Sequence, residues 1–107
     1  DEAATGVERR GVGGLIELHL CWNHVGDAGA VALAKSLRKN RRLTRLCLWD
    51  NSIGDAGGHA FAVALEEDPS IVLADLNIDE NEVTEEVMSR IARQESLRQA
   101  ALGDEGR

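Results

Sequence analysis

Hydrophobic and polar positions alternate in three short stretches, Leu15-x-x-Leu18-x-Leu20, Leu43-x-x-Leu46-x-Leu48 and Leu73-x-x-Leu76-x-Ile78. Alternation with period two sends successive side chains to opposite faces and predicts a strand. The first stretch is followed by Val25, Gly29, Leu33 and Leu37, a four-residue spacing that lines one face of a helix. The pattern therefore predicts strand, turn and helix, three times over.

The three segments are copies of one unit. A shift of 28 residues aligns Leu15, Leu18, Leu20, Asn23, Val25, Gly26, Asp27, Ala28 and Gly29 with Leu43, Leu46, Leu48, Asn51, Ile53, Gly54, Asp55, Ala56 and Gly57, and then Leu33 and Leu37 with Phe61 and Leu65. A further shift of 30 brings in Leu73, Leu76, Ile78, Asn81, Val83, Val87 and Ile91. The two extra residues fall in Glu66-Glu67-Asp68-Pro69-Ser70, a polar loop where an insertion leaves the core in register. One such unit cannot bury both its strand and its helix. Side-by-side stacking makes a parallel sheet with helices on the outer side and joins the leucines into one core.

The conserved spacing of polar residues within the units carries its own expectations. Asn23, Asn51 and Asn81 stand where each strand turns outward, and an amide there can pair with backbone groups that the bend leaves open. We read them as a turn-supporting ladder rather than as catalytic groups. Gly29 and Gly57 inside helices point to close helix-to-strand packing, and Asp27 and Asp55 are expected to cap helix starts.

The spacing Leu-x-x-Leu-x-Leu-x-x-Asn-x-Val/Ile-x-x-x-Gly-x-x-x-Leu/Phe-x-x-x-Leu resembles the ribonuclease-inhibitor-like class of leucine-rich repeats, found in NOD-like receptors, Ran GTPase-activating proteins and tropomodulin. The resemblance covers about residues 15–95 and implies an α/β fold, a short right-handed solenoid arc with a parallel sheet on its concave face. The third unit departs from it: Thr84, Val87 and Glu95 replace Gly54, Gly57 and Leu65. A polar Glu95 among Glu82, Glu85, Glu86, Arg90 and Arg93 is expected to make a water-facing helix, as a terminal repeat needs. The expected units are therefore 15–42, 43–72 and 73–102, the last a C-terminal cap, with 103–107 a disordered tail. Residues 1–14, rich in glycine, read as an irregular remnant, so upstream repeats of a longer parent chain are expected to cover the first strand.

Composition narrows the function. The chain has 107 residues and 11.6 kDa, room for one small domain, with 43% apolar and 29% charged residues. Two cysteines make no disulfide framework or zinc motif, and no signal or membrane-spanning stretch is present, so a cytoplasmic setting is expected. The start at Asp1 reads as a fragment or processed end. Net charge is −7, with +3 over residues 1–45 and −10 over the rest. That polarity argues for oriented protein contacts over nucleic acid.

On strands of this kind the residues between the leucines face the concave side. They are Glu17, His19, Cys21 and Trp22 on the first rung, Arg45, Cys47, Trp49 and Asp50 on the second, and Asp75, Asn77, Asp79 and Glu80 on the third. Trp22 and Trp49 are the only tryptophans, and exposed aromatics of this kind favour partner contact. Strand spacing puts Cys21 and Cys47 about 8 Å apart at Cα, which argues against a bridge. A metal or thiol site at His19, Cys21 and Cys47 is a weaker alternative that lacks a fourth ligand. No phosphate loop, nucleophile elbow or zinc-protease motif is present, and no cofactor is implied. The leading expectation is a non-enzymatic module that binds a protein partner through Glu17, His19, Trp22, Arg45, Trp49, Asp50, Asp75, Asp79 and Glu80. The alternative is a structural end-piece of a larger array.

Overall fold

The computed structural model describes the backbone of residues 16–40 and 42–105. Residues 1–14, read above as an irregular remnant, and Leu15 lie outside them. Three strand-helix units follow one another: β1 (Glu17–His19), α1 (Gly26–Leu37), β2 (Arg45–Cys47), α2 (Asp55–Glu67), β3 (Asp75–Asn77) and α3 (Glu85–Glu105). The strands form one parallel sheet in the order β1-β2-β3, with Leu18, Leu46 and Leu76 in register and Glu17, Arg45 and Asp75 in the rank beside them. This is the α/β repeat arc expected from the sequence, in which sheet and helices form two layers over a shared core.

The core follows the repeat. Leu18, Leu46 and Leu76 point inward from the strands and are buried, and Leu48, Ile53, Phe61, Leu65, Leu73, Ile78 and Ile91 join them in one cluster. Burial is deepest in the middle unit: Phe61 is fully buried, whereas Leu33 at the equivalent place in α1 is only partly buried. A stacked unit needs a neighbour on each side, and α1 has one only on its α2 side among the described residues.

Gly57 serves helix-to-helix contact rather than the helix-to-strand contact expected from sequence, whereas a Cβ on Gly29 would meet only Val25, ahead of its own helix. A Cβ on Gly57 would come within 2.8 Å of the Ala30 Cβ on α1 and 2.8 Å of Ile53. The carboxylates cap helices, but of the following unit. Asp27 Oδ1 accepts from the Gly54 and Gly57 N–H groups at 2.7 and 2.9 Å, so a residue on α1 closes the start of α2. Asp55 repeats the device one unit on, accepting from Thr84 N–H at 2.7 Å and from its hydroxyl at 3.0 Å. Thr84, a departure from the repeat consensus, thus gains a partner that glycine could not offer.

The far end is closed differently from the water-facing helix expected. β3 is an edge strand, and its unpaired Leu76 N–H is taken by the Glu95 carboxylate at 2.7 Å, while the Gln99 amide donates to Ala74 O at 2.7 Å. Glu95 is therefore half-buried over the edge rather than turned to solvent. Arg98 lies beside it and donates to the Ile71, Leu65 and Asp68 carbonyls at 2.7, 3.1 and 3.1 Å, which binds the loop containing Pro69 to α3. The helix also runs through Glu105, past the tail boundary expected at residue 103. Gly103 alone costs only about 1 kcal/mol in a helix and does not end it.

Burial lifts the Glu95 carboxyl above the ordinary carboxylate range, with Asp75 and Asp79 adding to the rise and the Leu76 N–H opposing it. The native state then holds this proton at higher pH than the unfolded chain does, so its contribution to stability falls as pH rises from about the unfolded value through the folded one. Glu95→Gln keeps an acceptor for Leu76 and removes the proton equilibrium. Urea unfolding between pH 4.5 and 7.5 is expected to show the variant gaining on the wild type as pH rises; a constant difference would show that the carboxyl does not titrate in the native structure as its burial implies.

Candidate concave-face site

The outward turn after each strand fixes the rim of the sheet. Pairing continues beyond the strands, with Trp22 N–H donating to Trp49 O at 3.1 Å and Asp50 N–H to Asp79 O at 3.1 Å. Within the turns, Trp22, Asp50 and Glu80 occupy one repeat position and share the left-handed conformation, with φ of 61°, 57° and 62°. None is glycine, so this geometry carries strain, on the order of 1 kcal/mol each, that the surroundings must hold.

The asparagines hold it. Asn51 is fully buried; its Oδ1 accepts from the Asn23 and Val25 N–H groups at 2.8 and 3.1 Å, and its Nδ2 donates to Leu20 O at 2.7 Å and Trp49 O at 3.3 Å. Asn81 does the same one rung on, accepting from Asn51 and Ile53 and donating to Leu48 O and Ile78 O, both at 2.9 Å. Asn23 is exposed, and its amide donates to Cys21 O at 2.9 Å; among the described residues no donor meets its Oδ1.

Across the concave face the polar residues pair with one another. Glu17 accepts from His19 at 3.1 Å and lies 3.6 Å from the Arg45 guanidinium, whose Nε is 3.1 Å from Asp75. The Glu17, Arg45 and Asp75 side chains are each about half exposed, 46, 53 and 51%. Exposed pairs of this kind contribute roughly 0–1 kcal/mol each, so a charged partner can displace them at little cost. Asp79 and Glu80 continue the face as exposed acids, and Asn77 stands half-buried between them and Cys47.

Above this row stand the tryptophans. Trp22 is 66% exposed, and its ring meets Trp49 edge to face, with centroids 5.0 Å apart and planes at 86°. Trp49 is half-buried and acts as the support. The two occupy different repeat positions, since Trp22 aligns with Asp50 and Trp49 with Cys21. They meet because their rungs are adjacent.

The thiols meet side chain to side chain, although the expected Cα spacing argued against a bridge. Cys21 Sγ lies 2.8 Å from Cys47 Sγ, and both are free thiols. The expected spacing of about 8 Å concerned Cα atoms on an extended strand, whereas β1 ends at His19 and the chain turns at Cys21 and Trp22. Strand side chains also lean along the strand, so residues on a diagonal can join their tips. Burial, with the Cys21 sulfur next, raises the Cys47 thiol above its ordinary range. His19 does not complete this pair, being bonded to Glu17, and among the described residues no three His, Cys, Asp or Glu side chains gather as metal ligands.

Sequence reading did not find the edge-capping trio of Glu95, Arg98 and Gln99, because their partners are backbone groups of another unit. Nor did it find the left-handed turn, because two of its three residues, Trp22 and Glu80, are types that tolerate it poorly. Of the described residues, no helix is long and apolar enough to cross a membrane.

Residues 15–34 and 39–62 match the family model for the leucine-rich repeat. No curated protein sequence matches the chain significantly. Among solved structures, the tropomodulin C-terminal domain from Caenorhabditis elegans is similar in fold, with a TM-score of 0.68 at 21% identity over 82% of this chain. The match takes in 52% of that domain's chain, so the present chain spans about half its length.

Proposed function

We propose that this leucine-rich-repeat arc, of the ribonuclease-inhibitor-like class, is a binding module that takes a protein partner on its concave face and the rim above it. The observation that carries the reading is Trp22, a large aromatic two-thirds exposed yet propped by Trp49 on a turn whose backbone is tied to the next rung. A rigid exposed aromatic loses little conformational freedom on contact and is the commonest kind of interface anchor. Beside it, Glu17, Arg45 and Asp75 exchange weak pairs among themselves for pairs with a partner, and His19, Asp50, Asp79 and Glu80 extend the polar contacts. The 28-residue unit supports the class assignment, since it accommodates a full helix opposite each strand.

A second feature bears on the setting. The Asn51 and Asn81 carbonyl oxygens each accept two N–H groups from the preceding rung, and the Asn23 oxygen offers the same site with no donor among the described residues. This supports a parent protein, cytoplasmic by its cysteine usage, in which further repeats stack before β1. The regulatory or sensor role of such a protein belongs to the same proposal.

The test is affinity capture from cytosolic extract with the wild type and with a Trp22→Ala, Arg45→Glu variant of equal circular dichroism and melting temperature. Both substituted side chains are exposed enough for the fold to persist. A partner held by the wild type is expected to be lost at least tenfold by the variant. Equal capture, or none by either, would leave the chain a structural end-piece.

A further inference from the structure

Two thiols from different rungs meet on the concave side with no structural task that requires them. Their sulfurs are 2.8 Å apart, against the 2.03–2.05 Å of a disulfide, so closing a bond asks for a movement of about 0.8 Å. The backbones on either side are held in place. Leu20 N–H donates to Cys47 O at 2.9 Å, Trp22 N–H to Trp49 O at 3.1 Å, and Leu48 N–H to Asn77 O at 2.7 Å. Cys21 therefore sits between two fixed attachments to the second rung, and the peptide joining Cys47 to Leu48 is held on both sides, its carbonyl by Leu20 N–H and its own N–H by Asn77 O. The remaining adjustment falls on the two short side chains. Both residues are only partly buried, so a small oxidant reaches them.

We propose that Cys21 and Cys47 form a reversible redox pair, closed to an intramolecular disulfide by hydrogen peroxide and reopened by a dithiol. In the first step one thiolate attacks a peroxide oxygen; the O–O bond breaks, a sulfenic acid forms and water leaves with the thiol proton. The second thiol then attacks the sulfenic sulfur, the S–O bond breaks, the S–S bond forms and a second water departs. Two electrons pass from the cysteines to the peroxide, which ends as two waters. The bond joins the first rung to the second directly below the Trp22 and Trp49 pair. The proposal is independent of which partner the concave face takes.

The purified chain is treated with hydrogen peroxide, natively and in urea, and followed by intact mass and by trypsin digestion without reduction. Expected are a loss of 2 Da, disappearance of both free thiols, and a linked species of peptides 11–35 and 46–90. Closure is expected at least tenfold faster in the native chain than in urea, because the fold and not chance encounter brings the sulfurs together. The oxidised chain is expected to melt on the order of 10 °C higher than the reduced one, with the shift reversed by dithiothreitol. Sulfinic acids on separate cysteines, linked dimers as the main product, or closure no faster in the native state would each overturn the proposal. All readouts use the wild-type chain, so none depends on a variant that folds.

Discussion

Asn51→Ala is expected to destabilise the domain by about 4 kcal/mol, a large share of the stability of any small fold. The substitution removes one acceptor that serves Asn23 and Val25 N–H and two donors that serve Leu20 and Trp49 carbonyls. Each buried group left without a partner costs roughly 1–3 kcal/mol. Trp49 O keeps its bond from Trp22 N–H, and the Asn23 N–H lies near solvent, which holds the sum below the maximum. Asn23→Ala makes the control. That side chain is exposed and gives up a single bond to Cys21 O, so about 1 kcal/mol or less is expected. Urea midpoints of the two variants decide the matter: costs within 1 kcal/mol of each other would show that the ladder does not carry the turns.

The legible part of this fold was its periodicity. Leu18, Leu46 and Leu76 fall in register because a strict repeat leaves them no other way to share a core, and the two-residue insertion at Glu66–Ser70 changes a loop without moving that register. The asparagine positions were legible for the same reason. What escaped notice were contacts made between units by residues whose own unit gives no sign of them. Asp27 looks like a cap for its own helix and caps the next one; Glu95 looks like a surface charge and closes a sheet edge.

The candidate site shows a similar division. Alternation alone placed Glu17, Arg45 and Asp75 in one exposed row, but their mutual pairing depends on rung spacing and side-chain reach. Strand spacing concerns Cα atoms and so hid the meeting of the Cys21 and Cys47 side chains, and a pattern of leucines says nothing about where a strand ends. β1 ends two residues before Cys21, and the left-handed Trp22 that follows carries no glycine to announce it. The tryptophan pair was visible as composition and became a single platform only when adjacent rungs set its two members edge to face.

The neighbour dependence of a stacked fold gives the second large effect. Phe61 and Leu33 occupy the same place in successive units, yet Phe61 is fully buried in the core while Leu33 is only partly covered. Phe61→Ala opens a cavity flanked by packed side chains and is expected to cost about 4 kcal/mol, whereas Leu33→Ala relaxes toward an open side and is expected to cost less than about 2 kcal/mol. Burial rather than residue type is responsible, so Phe61→Leu, which nearly matches Leu33 in chemistry, is expected to fall between them. Urea unfolding of the three variants measures the order directly. Equal costs for Leu33→Ala and Phe61→Ala would mean that α1 already has a neighbour on its outer side. In a longer parent chain with repeats stacked before β1, the same Leu33→Ala substitution is expected to rise toward the Phe61 value, because a stacked neighbour would give the first described unit the burial of the second.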